Sequence, residues 1–84
     1  MKHVAVSQFT ELYGRLPARV QKHVDHNFSI IKEYPNHPLL RLVKVEGIWS
    51  MRLGSKYRAL AVEEGETVIW FWIGKYQHYT SLFN

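Results

Sequence analysis

The first half of the chain begins with one short apolar stretch, after which hydrophobic side chains recur at helical spacing. Residues 4–6 (VAV) predict a short strand, and Ser7 is placed to cap the helix that follows. Two sets recur at intervals of three and four residues: Phe9, Leu12, Tyr13 and Leu16, then Val20, Val24, Phe28 and Ile31. This spacing predicts two amphipathic helices, with Pro17 in the first turn of the second. The prolines of YPNHP (34–38) end that helix.

The second half alternates between apolar and polar residues, as half-buried strands do. Four such segments are separated by turns that contain glycine: residues 41–46, 48–53, 57–62 and 67–74. The last one, TVIWFWIG, is apolar on both faces, which predicts a central strand. The whole pattern predicts an α+β fold of order β-α-α-β-β-β-β, in which a helical hairpin packs on one face of an antiparallel meander.

The register of the two middle strands decides which charges share a face. A two-residue turn after Leu53 would place Arg58 beside Trp49, among core side chains. A three-residue loop over 54–56, with a bulge, instead places Arg58 directly across from Arg52 on the other face. We expect the second register because it buries no unpaired charge. Two opposed arginines repel each other unless an anion lies near them, so the pair is a candidate phosphate site.

Composition narrows the classes of function. The 84 residues, 46% of them hydrophobic, make one small domain over residues 1–84, and the absence of cysteine excludes a disulfide framework and any cysteine-based site. His23 and His26 lie one helical turn apart without a third ligand, so we expect no metal site. The sequence has no glycine-rich phosphate loop, so we expect no cofactor. No apolar run has the length of a signal peptide or a membrane span, so we expect a cytoplasmic protein without a membrane partner.

Charge is concentrated in one segment. The chain carries 11 Lys and Arg against 7 Asp and Glu, a formal net charge of +4. Residues 41–60 hold one acid, Glu46, and five bases: Arg41, Lys44, Arg52, Lys56 and Arg58. Such a segment predicts an anionic partner, either nucleic acid or an acidic protein. The alternative is a basic surface that serves only solubility.

Several local motifs follow one another in a familiar order: LP at 16–17, YPNHPLL at 34–40, GIWSMRLGSKYRAL at 47–60 and WFWIGKYQHY at 70–79. In these motifs and in the order of its elements, the chain resembles the RelE/ParE superfamily of bacterial toxins. These are the toxin halves of type II toxin–antitoxin modules. The resemblance implies a cognate antitoxin protein as partner, with operator DNA contacted only through the toxin–antitoxin complex.

The resemblance leaves three functions open. One branch of the superfamily cuts mRNA in the ribosome, which implies binding to the ribosome and its message and inhibition of translation. The other branch inhibits DNA gyrase without nuclease residues. A third possibility is a decayed, non-toxic member that only binds its antitoxin. We expect the mRNA endonuclease, although two departures favour the gyrase inhibitor. Tyr76 stands where histidine is common, and Leu39 and Leu40 stand where some nuclease members have glutamate.

RNA cleavage of this kind uses the 2′-hydroxyl as nucleophile and needs a base, an acid and cations that hold the phosphate. By resemblance, the catalytic positions are Arg58, His78 and Tyr79. The cations that would bind RNA phosphates are Lys44, Arg52, Lys56 and Lys75. The alternatives are structural: Arg58 pairs with a glutamate of the strand loop, His78 is a surface residue, and Tyr79 pins the tail to the sheet.

Overall fold

The computed structural model describes residues 1–77 of the chain. The helices and strands are β1 (Lys2–Ala5), α1 (Ser7–Gly14), α2 (Ala18–Glu33), β2 (Leu42–Val45), β3 (Ile48–Leu53), β4 (Tyr57–Glu64) and β5 (Thr67–Lys75). A 3₁₀ turn at Pro38–Leu40 precedes β2. The α+β class and the order β-α-α-β-β-β-β are confirmed.

The five strands form one sheet in the order β1-β5-β4-β3-β2. Strands β2 to β5 make the expected antiparallel meander, and β5 lies inside the sheet, as its two apolar faces predict. Strand β1 pairs with β5 in parallel, from Lys2 opposite Thr67 to Ala5 opposite Trp70. The whole helical hairpin lies between these two strands in sequence, which gives the long crossover that a parallel pair needs.

The predicted register of β3 and β4 is confirmed. Leu53 pairs with Tyr57 across a three-residue loop, and Arg52 pairs with Arg58. Trp49 lies on the helix side of the sheet with the other core residues of these strands. The two arginines therefore lie on the opposite side, which we call the open face.

The core lies between the helices and the sheet. Helix α1 packs on β5, and Phe28 of α2 meets the ring of Trp70 edge-on at a centroid distance of 5.0 Å. The largest fully buried side chains there include Trp49, Trp70 and Ile31. These tryptophans are core residues, as expected, and large aromatic rings supply much of the buried apolar area in a domain of this size.

Several predicted boundaries were wrong. Ser7 does not cap α1, because Val6 still donates its N–H to the carbonyl of Trp70 and the helix starts directly after it. Pro17 precedes the first turn of α2 as its N-cap, with an extended ψ of 148°. Strand β2 is shorter than residues 41–46 because Arg41 and Glu46 both adopt left-handed backbone conformations, with φ of 48° and 53°. Strand β4 continues beyond residue 62, since the next turn holds only two residues.

Candidate functional site

Four of the predicted phosphate-binding or catalytic residues lie at one end of the sheet. The register places the end of β3, the start of β4 and the end of β5 side by side, with Leu53 next to Tyr57 and Tyr57 next to Lys75. We call this region the basic end; its members are Arg52, Lys56, Arg58 and Lys75. Antiparallel pairing alone brings these cations together, although 23 residues separate the first from the last in sequence.

Arg58 is held in place by its neighbours at the basic end. Its side chain is partly buried, and one guanidinium nitrogen donates a 2.9 Å hydrogen bond to the carbonyl of Tyr57. The guanidinium carbon lies 4.6 Å from the centroid of the Tyr76 ring, which is cation–π geometry. Tyr76 is itself fixed, because its N–H donates to the carbonyl of Lys56 at 2.6 Å. The two residues thus form an ordered cationic and aromatic pair.

Arg52 lies across from Arg58 on the open face and is exposed. The glutamates of the β4–β5 turn lie at the other end of these strands, where Glu63 accepts a hydrogen bond from the Trp49 indole at 2.9 Å. None of them is placed by the register to neutralise the arginine pair. Positive charge is therefore concentrated at the basic end, as the sequence predicts for an anion site.

Lys44 lies away from the arginine pair. It is opposite Trp49 in the register, so its side chain is on the helix side of the sheet, and its Nζ lies 4.1 Å from the centroid of the Trp49 ring. The structure therefore does not bring Lys44 together with Arg58. His78 and Tyr79 lie outside the described residues, so their catalytic roles stay predictions.

Sequence reasoning missed the role of Tyr76, which it treated only as a departure from histidine. In the structure Tyr76 is 46% exposed, and its ring lies against the Arg58 guanidinium. The signal in the sequence was an aromatic residue two positions after Gly74, the glycine that ends the apolar strand. At this position the chain leaves the sheet beside the first residues of β4.

Gly74 also has a role that the sequence did not reveal. It is the cross-strand neighbour of Arg58, and a Cβ at Gly74 would lie 2.8 Å from Cζ2 of Trp72. The Trp72 indole therefore leans along β5 over the glycine, toward the basic end. A bulge at Phe71 allows this, because it turns Trp70 to the helices and Trp72 to the open face.

A second polar cluster surrounds His3 on the helix side. The Trp70 indole N–H donates a 3.1 Å hydrogen bond to Nδ1 of His3, whose ring also meets Trp49 edge-on at 5.8 Å. Burial lowers the pKa of the His3 imidazole below its ordinary value, and the positive charges of the amino terminus, Lys32 and Lys44 lower it further. This cluster lies away from the arginine pair and packs the core.

Comparison with solved structures settles the fold. The chain superposes on the RelB–RelE antitoxin–toxin complex of Methanococcus jannaschii with a TM-score of 0.75 and 16% identity, over 96% of this chain and 99% of that one. YafQ from E. coli strain BL21(DE3) gives 0.74 and 9% identity, over 99% and 98%. The chain has the RelE toxin fold. The YoeB/ParE toxin from Agrobacterium tumefaciens matches this RelE fold at 0.70 and 19% identity, over 90% and 99%.

The RelE fold is thus carried by a sequence with little identity to these neighbours. No protein-family model matches it, and no curated protein matches it either. Since a fold hosts several functions, the residues at the basic end have to decide between them. Among residues 1–77, no helix is long and apolar enough to cross a bilayer.

Proposed function

We propose that the protein is the toxin of a type II toxin–antitoxin module and that it cuts mRNA in the ribosome. The observation that carries the proposal is the Arg58–Tyr76 pair with Arg52 opposite, at the basic end of a RelE fold. A guanidinium that is already oriented loses little side-chain entropy when it binds a phosphate. It can also donate two parallel hydrogen bonds to the phosphate oxygens.

The cleavage step follows from the chemistry of RNA. The 2′-oxygen attacks the adjacent phosphorus and loses its proton, the bond to the 5′-oxygen breaks, and that oxygen takes up a proton. The products are a 2′,3′-cyclic phosphate and a 5′-hydroxyl. Arg58 and Arg52 stabilise the negative charge that builds on the phosphate oxygens, which is where a fixed cation lowers the barrier most. His78 and Tyr79 are the proposed proton carriers.

Tyr76 fits this function as a platform for a base. The residue is partly exposed and its ring lies beside Arg58, and RNA-binding proteins commonly stack unpaired bases on tyrosine rings. A nucleotide bound there would place its phosphate next to Arg58. This arrangement does not need a histidine at position 76.

The proposed partner is a cognate antitoxin. Two apolar side chains of β2, Val43 and Val45, and one of β4, Val62, are exposed on the open face at 56%, 60% and 37%. An antitoxin segment that covers these valines and places acidic residues over the basic end would hold the toxin inactive. The similar RelE structures from M. jannaschii and E. coli are themselves complexes with antitoxins.

Gyrase inhibition is the second candidate, because Tyr76 and the leucines at 39 and 40 depart from the nuclease pattern. Induction in growing cells, with protein and DNA synthesis labelled separately, distinguishes the two. We expect growth arrest in which protein synthesis stops first, and no arrest with Arg58→Ala. Arg15→Ala is the matched control, since it removes the same charge from an exposed ion pair on α1. Loss of DNA synthesis first would assign the toxin to gyrase, and no arrest at all would indicate a non-toxic member.

A further inference from the structure

Three clefts are lined by residues of the loop that joins β3 to β4, and a fourth lies beside them at the 3₁₀ turn. A cleft of about 460 Å³ beside the 3₁₀ turn shares Arg41 with a second cleft of about 410 Å³. The second shares His23 and Ser55 with a third, of about 320 Å³, under α2. The third shares Ser55 and Lys56 with a fourth, of about 370 Å³, which reaches Tyr76. We call this series of clefts, in which each shares lining residues with the next and the last reaches Tyr76, the loop track.

Among residues 1–77, every charged side chain that lines the loop track is a base. Six cations line it, namely Arg19, Arg41, Lys44, Arg52, Lys56 and Lys75, together with the imidazoles of His23 and His37. None of the seven acids of the chain lines any of the four clefts. A groove with this charge, leading to an aromatic ring, is the arrangement with which proteins follow a single-stranded nucleic acid.

Arg41 occupies the junction of the first two clefts in an unfavourable backbone conformation. Its φ is 48°, in the left-handed region, and its N–H donates to the carbonyl of Pro38 at the end of the 3₁₀ turn. Glycine or asparagine takes this conformation at lower cost than arginine. Within residues 1–77 the Arg41 guanidinium makes no hydrogen bond or ion pair that would compensate. An arginine kept at a position that disfavours it points to use of its side chain.

Leu39 lies in the same cleft as Arg41 and is 65% exposed. An apolar side chain beside the guanidinium groups of Arg41 and Arg52 suits a nucleotide, whose sugar and base are largely apolar and whose phosphate is an anion. A purely acidic peptide would use the charges of the loop track but not the apolar surface of Leu39. The combination therefore favours RNA over an acidic peptide.

We propose that Arg41 binds a backbone phosphate of the RNA strand away from the cleaved bond, and that the strand follows the loop track from Lys44 to Tyr76. The inference rests on the proposed function, since it extends the path of the same RNA. It assigns to Arg41 a binding role, with no part in the chemical step.

Two residues with the same backbone conformation allow a matched test. Glu46 has φ 53° in the turn before β3 and lines none of the four clefts. Arg41→Asn and Glu46→Asn both relieve the left-handed strain, so both variants are expected to melt at a higher temperature than wild type. Arg15→Asn removes the same charge as Arg41→Asn from a site outside the track.

The probe is a fluorescein-labelled, fully 2′-O-methylated single-stranded RNA 12-mer, which cannot be cleaved, followed by anisotropy at several salt concentrations. We expect Arg41→Asn to weaken binding about tenfold, as for a charged hydrogen bond, and to reduce the salt slope by about 0.7, as for one phosphate contact. Glu46→Asn and Arg15→Asn should keep the wild-type salt slope.

Wild-type affinity and slope in Arg41→Asn would overturn the inference, as would failure of the wild-type protein to bind this RNA. A loss of affinity for poly-glutamate with unchanged RNA affinity would also overturn it and assign the track to an acidic protein. The proposed function is tested separately, by measuring whether Arg58→Ala still cleaves ribosome-bound message. If that variant still cuts, the proposed function fails whatever Arg41→Asn does. If cleavage is lost and Arg41→Asn binds RNA normally, only the role of Arg41 fails.

Discussion

At the scale of single residues, the contact between Arg58 and Tyr76 defines the candidate site. The guanidinium lies 4.6 Å from the ring centroid, and the ring is anchored by a backbone hydrogen bond to Lys56. The face of the ring attracts the cation, and the hydrogen bond to the carbonyl of Tyr57 fixes the guanidinium from a second direction. In this account the ring of Tyr76, and not its hydroxyl group, replaces the histidine that is common at this position.

Substitutions at Tyr76 separate the ring from the hydroxyl. Tyr76→Phe keeps a face for the guanidinium, so we expect RNA cleavage near the wild-type rate. Tyr76→Ala loses a contact of about 0.5–2 kcal/mol and a stacking surface, and cleavage should fall several-fold or more. Rates of cleavage of ribosome-bound message measure both effects. An inactive Tyr76→Phe protein would contradict the platform role and assign proton transfer to the hydroxyl.

His3 gives the fold a dependence on pH. Since its pKa is lowered in the folded protein, the fold favours the neutral imidazole, which accepts the hydrogen bond from Trp70. This contribution to stability is fully present above the unfolded pKa of about 6.5, and it is lost as the pH falls through that value toward the folded pKa. Protonation also adds a positive charge near the amino terminus, Lys32 and Lys44.

Urea unfolding followed by tryptophan fluorescence measures this dependence. We expect the free energy of unfolding to fall between pH 7.5 and 5.0 in the wild type. His3→Gln cannot titrate, so its free energy of unfolding should fall less over the same range. An identical dependence on pH in the two proteins would show that the burial of His3 and its positive neighbours do not make the fold favour the neutral imidazole.

At the scale of elements, β5 is built to present different residues to its two sides. The bulge at Phe71 turns Trp70 into the helical core and Trp72 onto the open face. The Trp72 ring then needs the space above Gly74, the neighbour of Arg58. The strand thus places one buried tryptophan on each side of the sheet, and Trp72 is the one that lies next to the site.

A pair of identical substitutions tests this packing. Gly74→Ala places a methyl group 2.8 Å from Trp72, and displacing a large ring is expected to cost about 1–3 kcal/mol of stability. Gly14→Ala meets nothing within 4 Å at the end of α1 and should be neutral or stabilise by up to about 1 kcal/mol. Thermal or urea unfolding of the two variants gives the comparison. Equal effects would exclude close packing of Trp72 on Gly74.

The elements also show which parts of the structure the sequence could predict. The register that opposes Arg52 and Arg58 was predictable because the other register buries a charge. The short length of β2 was not, since Arg41 and Glu46 continue the strand alternation and only their backbone angles end it. The parallel direction of β1 was equally hidden, because alternation does not encode direction. The contact between Arg58 and Tyr76 depends on strand ends that meet only in the folded sheet.

At the scale of the whole molecule, charge is divided between the two ends of the sheet. Within residues 1–77, the charged side chains of the basic end and the loop track are all cations, whereas Glu46, Glu63, Glu64 and Glu66 lie in or beside the turns at the opposite end. This separation of charge orients the molecule so that its basic end meets a polyanion first. It also raises the rate of association with the polyanion at low ionic strength. It fits a protein that docks on RNA by one end.

The measurement that tests the central claim most directly is cleavage of a ribosome-bound message by purified protein, mapped by primer extension. The account predicts discrete cuts with the wild type and with Arg15→Ala, and a rate about 10²–10³-fold lower with Arg58→Ala, as when one group that stabilises the transition state is removed. Intact message in the presence of wild-type protein, or cutting by Arg58→Ala at the wild-type rate, would contradict it.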